Sequence, residues 1–132
     1  MAVGESVWPQ MHAIDGITIG VAAAGIKYDN RQDVCVFAME AGTSVAGVFT
    51  QNAFSAAPVH VCKQHLGKTE GYVRGLVINS GNANACTGEE GLADARLTCS
   101  KLAEMAGAKT TQVLPFSTGV IGERLPMARL LA

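Results

Sequence analysis

Short apolar runs separated by turn residues dominate the first half of the chain, and a long 3.6-residue periodicity dominates the second. Ile17–Ile26 reads as a strand, and Tyr28-Asp29-Asn30-Arg31 supplies residues that favour a turn. Asp33–Met39 is a second strand, rich in residues that suit a pleated surface. Glu40-Ala41-Gly42 then turns the chain into a third, Ser44–Thr50, so the opening is expected to form an antiparallel meander. Pro58–Cys62 reads as a short strand followed by a polar loop through Gly71, and Gly75–Asn79 as a brief buried strand.

The clearest element follows. Ser80-Gly81-Asn82-Ala83-Asn84 is a turn signal, because Gly and Asn tolerate positive φ. Thr87 with Glu90 three residues on matches a capping box, and Ala95, Cys99, Leu102, Ala103 and Ala106 then share one apolar face. Gly107 is a suitable stop, so a helix is expected over Thr87–Ala106. Val113–Thr118 reads as a strand in which Pro115 demands an edge position or a bulge, and Gly119–Gly122 as a turn. Pro126 suits the first turn of a last helix carrying Leu125, Met127, Leu130 and Leu131. That uncapped apolar run is expected to pack against a further segment.

Composition narrows the classes. The 132 residues suffice for one small domain, and 48% hydrophobic residues support a packed core. The net charge is −1 with no Lys/Arg cluster, so nucleic acid is not an expected partner. The opening MAVGESVWPQMH lacks the basic and apolar regions of a secretory leader, and no apolar stretch is long enough to span a bilayer. Cys35, Cys62, Cys86 and Cys99 form no Cys-x-x-Cys pair and read as reduced core thiols, which points to a cytoplasmic compartment.

Candidate chemistry is sparse. His60, Cys62 and His65 resemble a partial ligand set, with His60 and Cys62 on one face of a strand, but no third or fourth ligand stands at suitable spacing. Neither a metal nor a cofactor is expected. Ser80 and Ser117 each stand at a strand end, and neither fits a nucleophile elbow. Phe116-Ser117-Thr118-Gly119-Val120-Ile121-Gly122 is a strand-to-helix turn of the kind that points N–H groups and a hydroxyl into open space. Acyl transfer develops charge on a carbonyl oxygen, and such donors stabilise it. On residue types alone, such a turn is structural more often than catalytic.

Three segments carry a family likeness: Gly47–Val59 (GVFTQNAFSAAPV), Leu76–Ala95 (LVINSGNANACTGEEGLADA) and Leu114–Met127 (LPFSTGVIGERLPM). In order and spacing they resemble the ornithine acetyltransferase family, also called glutamate N-acetyltransferase, of arginine biosynthesis. The resemblance implies an α/β, sandwich-like fold of N-terminal-nucleophile type. It implies acetyl transfer from N-acetylornithine to glutamate, with acetyl-CoA a donor in some members. A precursor cleaves itself before a threonine, which then opens a second (beta) chain, attacks the donor and carries the acetyl group. Two alpha and two beta chains are expected to associate. By position, Thr118 and Gly119 match the family's oxyanion-hole pair, through the Thr118 hydroxyl and the Gly119 N–H. The Asn79–Asn84 turn is a family signature to which the sequence gives no chemical role.

The nucleophile, the substrate-binding lysine and the acceptor contacts belong to segments expected after residue 132. Residues 1–132 are therefore expected to be an amino-terminal portion of the first (alpha) subunit, incomplete at its C-terminal end. Two other readings stay open: a related self-processing aminopeptidase, and a non-catalytic scaffold.

Overall fold

The computed structural model describes residues 9–132, so most of the opening stretch lies outside the described residues. Its elements are β1 (Ile17–Ala22), β2 (Val34–Met39), α1 (Ala57–Thr69), β3 (Gly75–Asn82), α2 (Gly88–Ala106), β4 (Val113–Val120) and α3 (Met127–Leu130). They build one sheet of order β1-β2-β3-β4. The first two pairings are antiparallel, with Val36 opposite Gly20 and Val77, and β3 and β4 run parallel, joined by α2. The expected α/β class is what is observed.

The antiparallel part has a different third member from the one expected. Ser44–Thr50 contributes only an isolated bridge from Ser44 to Tyr72, and β3 takes the place beside β2. Ala46 and Gly47 offer little side chain to pack, and only Val45 and Phe49 of this stretch reach a core cluster, beside Leu66. The segment therefore crosses the end of the sheet as a loop.

Pro58–Cys62 is likewise not a strand but the first turns of α1. Proline fixes φ near the helical value at the start of a helix, where its missing N–H costs nothing. Ala57, Val61 and His65 are buried at i, i+4 and i+8, one helical stripe. Helical geometry also separates His60 from Cys62. His60 is exposed and Cys62 buried.

Both long helices cover one face of the sheet. Ala57 and Val61 of α1, Ala95, Cys99 and Ala103 of α2, and Val77 and Val113 of the sheet form one apolar cluster. The helix foreseen over Thr87–Ala106 stands as α2, with Gly107 at φ 59° closing it through a bond to the Ala103 carbonyl. The capping box does not form: Thr87 donates its hydroxyl to Asn84 Oδ1 (2.7 Å) and makes no side-chain bond to the helix N–H groups.

β4 is an edge strand, as Pro115 required. Its outer edge is covered by α1, whose His65 Nδ1–H donates to the Val113 carbonyl (2.7 Å) and whose Cys62 thiol donates to the Pro115 carbonyl (3.2 Å). Edge carbonyls that would otherwise seek another chain are thereby satisfied. At the opposite edge β1 is exposed along most of its length, with Ile19 and Val21 more than half accessible. No described helix is long and apolar enough to cross a membrane.

Candidate active site

The strongest candidate chemistry lies where β4 leaves the sheet. Thr118 and Gly119 are exposed near the C-terminal end of that strand. The strand runs on to Val120, two residues beyond the point at which a turn was expected. The ladder with β3 slips here: Asn82 stands opposite both Thr118 and Val120, a bulge that brackets Gly119. Gly119 has φ 138°, and a Cβ added there would collide with the Gly81 carbonyl carbon and the Asn82 nitrogen. Glycine is therefore demanded by the close backbone approach and by the conformation.

Alternation along β4 puts Ser117 and Thr118 on opposite faces of the sheet. Ser117 is committed, donating its hydroxyl to Asn79 Oδ1 at 2.6 Å. Thr118 shares its face with Phe116, which is substantially exposed. A hydroxyl and a neighbouring N–H on a stiff, bulged strand can bind one developing oxyanion.

The end of β3, which runs on through residues expected to form a turn, and the residues just after it support this bulge through three asparagines that are almost wholly buried: Asn79, Asn82 and Asn84 are 4%, 3% and 0% exposed. Asn79 Nδ2 donates to the Asn82 carbonyl (2.9 Å). Asn82 Nδ2 donates to the carbonyls of Glu123 and Arg124 (both 3.0 Å), and its Oδ1 accepts from Asn84 N–H (2.8 Å). Asn84 Nδ2 donates to the Gly91 carbonyl in α2 (2.8 Å). Among the described residues no buried side-chain nitrogen or oxygen lacks a partner. The sequence marks this turn as a signature, but Asn-rich turns are common and nothing in the residue types shows that their amides reach the strand exit.

Arg124 adds a second tie. Its guanidinium donates to both carboxylate oxygens of buried Asp94 (3.1 and 3.0 Å) and pairs with Glu90 at 3.2 Å. The Asp94 hydrogen bond, and then the charges of Asp94 and Glu90, push Arg124 above its ordinary pKa. Arg124 and Asp94 are 30 residues apart in sequence, so spacing alone gave no hint of the pair.

The remaining candidates scatter. His60 Nε2 faces Ser55 Oγ at 3.1 Å, while His65 and Cys62 serve the edge of β4. Among the described residues no group of three His, Cys, Asp or Glu side chains could hold a metal ion. Ser55 and His60 line a cavity of about 410 Å³ together with Phe54, Cys86, Thr87 and Glu89; neither Thr118 nor Gly119 borders it. Cys86 is exposed there, which corrects its reading as a core thiol. Cys62 and Cys99 are buried, and burial pushes their thiols up to about 11 and about 12.

This fold is shared with acetyltransferases of known structure. The chain superposes with a TM-score of 0.83 on ornithine acetyltransferase from Mycobacterium tuberculosis, solved with ornithine, at 40% identity over 89% of this chain and 63% of that one. The arginine biosynthesis bifunctional protein ArgJ of Bacillus halodurans gives the same TM-score at 37% identity, over 89% of this chain and 60% of the other. Among curated relatives, the arginine biosynthesis bifunctional proteins ArgJ of Pseudomonas syringae pv. tomato and Pseudomonas fluorescens are 52% and 51% identical over 98% of the chain. A model of the ArgJ family matches residues 18–132, and the chain belongs to that family. It spans 31% of the length of those curated relatives.

Proposed function

We propose that this chain is the amino-terminal, alpha-type part of a cytoplasmic acetyltransferase of arginine biosynthesis, and that it supplies the oxyanion hole. The reaction is transfer of acetyl from N-acetylornithine to glutamate. A threonine at the head of a second chain attacks the acetyl carbonyl, and the carbonyl π electrons move onto oxygen. Collapse of that intermediate breaks the C–N bond, the proton given up by the threonine hydroxyl passes to the leaving amine, and ornithine departs to leave an acetyl-threonine ester. Glutamate's amine then attacks the ester, and N-acetylglutamate leaves with the threonine hydroxyl restored. In each half the Thr118 hydroxyl and the Gly119 N–H donate to the oxyanion. The second chain and the two-alpha, two-beta assembly belong to this reading.

The observation that carries it is the exposed Thr118–Gly119 bulge, held by buried amides in a chain 52% identical to an arginine biosynthesis bifunctional protein. The test is initial-rate kinetics of the full-length protein with both substrates varied. A ping-pong enzyme gives parallel double-reciprocal lines and, without glutamate, an acetylated peptide of 42 Da added mass. Release of acetate with glutamate ignored would instead identify a hydrolase, and the acetyltransferase reading would fall.

A further inference from the structure

The Asn79–Asn84 segment, the end of β3 and the residues just after it, has a role that the exposed pair beside it explains. We infer that Asn82 is a positioning residue for the oxyanion hole, acting through the backbone on both sides of Thr118 and Gly119. This inference rests on the oxyanion-hole reading above.

Geometry sets Asn82 apart from an ordinary turn residue. Its backbone brackets Gly119 in the ladder, opposite Thr118 on one side and Val120 on the other. Its Nδ2 holds the carbonyls of Glu123 and Arg124, the stretch into which β4 empties. Its own carbonyl is held by Asn79, whose Oδ1 accepts from Ser117, the residue just before Thr118. The residue before the pair and the stretch after it are thus tied to one side chain and its peptide. The asparagine side chains are almost wholly buried and the bonds they make to Ser117, Glu123 and Arg124 are part-buried, so water competes for them less than for bonds on the surface. A further bond from Asn84 to the Gly91 carbonyl anchors the assembly to α2, a rigid element.

Donors to an oxyanion act only when they meet the position that the oxygen takes in the transition state. Two donors on a bulge have no regular ladder to aim them. An amide bridging the residues before and after them does so instead. Asn82 itself faces inward and contacts the backbone, so it acts on catalysis only through Thr118 and Gly119.

The test is a double-mutant cycle in the processed full-length enzyme. Asn82→Asp keeps the size of the side chain and the acceptor for Asn84 N–H, and replaces the donor by an oxygen facing two carbonyls. The expected result is a fall in kcat of roughly tenfold per active site, counted by acetyl-enzyme titration, with KM for N-acetylornithine within about twofold. In a Thr118→Ala background the same change should cost only about threefold, because half of what it positions is gone. Should Asn82→Asp fail to fold, Ser117→Ala tests the other end of the tie. It should lower kcat about threefold and less than that with Thr118→Ala. Full multiplication of the two effects, or a lowered melting point with unchanged kcat per titrated site, would overturn positioning while leaving the oxyanion hole standing. A Thr118→Ala enzyme of normal rate would overturn both.

Discussion

The four cysteines show how far one residue type is divided by its surroundings. Cys99 lies in the apolar cluster between helices and sheet and Cys62 in a second one with Met39, Val73 and Leu114, and loss of solvent disfavours their thiolates. For Cys99 the charge of Cys62 adds a smaller push in the same direction. Both pKa values are raised, so both thiols stay neutral and unreactive throughout the neutral and mildly alkaline range. Cys86 is exposed on a positive-φ turn, and Cys35 is half-buried in β2. A thiol reagent applied to the native protein at pH 8 should therefore label Cys86 first and Cys35 more slowly. Cys62 and Cys99 should react only after denaturation. Peptide mapping of the labelled protein checks the order, and native labelling of Cys99 at the rate of Cys86 would contradict it. Small-residue context in the sequence made all four look alike. What separates Cys86 is a turn conformation that composition does not encode. Thr118 and Gly119 were legible as a motif, while the reason for glycine, contact with the Gly81–Asn82 peptide, is a long-range fact of the sheet.

Helix α2 was readable nearly to its ends because nineteen residues repeat one apolar stripe and a glycine stops them. Helix α1 was not, since Pro58, Val59 and Val61 mimic a strand over five residues, and its burial stripe emerges only across two turns. The first turn of α2 holds a sharper lesson. Gly91 is buried, and a Cβ there would run into Thr87 and Asn84 Oδ1. Alanine normally stabilises a helix over glycine by about 1 kcal/mol. Here the added methyl would break the Thr87–Asn84 bond and crowd a buried amide. Gly91→Ala should destabilise the native state by about 1–3 kcal/mol, the usual cost of overpacking. Urea unfolding of the full-length variant measures this, and a raised midpoint would show that the turn yields freely.

For the molecule as a whole, one sheet face is filled by α1 and α2, and the other keeps Ile19, Val21 and Phe116 accessible. Thr118 stands on that accessible side, at the end of a strand whose outer edge is already covered. The α/β class was legible from the order of the family-like segments. The parallel β3–β4 pairing was not, because it depends on α2 returning the chain to the same end of the sheet. On the proposed function, this chain contributes transition-state stabilisation through Thr118. Thr118→Ala in fully processed enzyme measures it most directly. Deleting one of two oxyanion donors should lower kcat by roughly 10²–10³-fold, about 3–4 kcal/mol. KM should change little, because the interaction is made mainly in the transition state, and Thr118→Ser should retain much of the activity. A processed Thr118→Ala enzyme turning over at near-normal rate would reduce the threonine to a strand-end residue and contradict its role as an oxyanion donor.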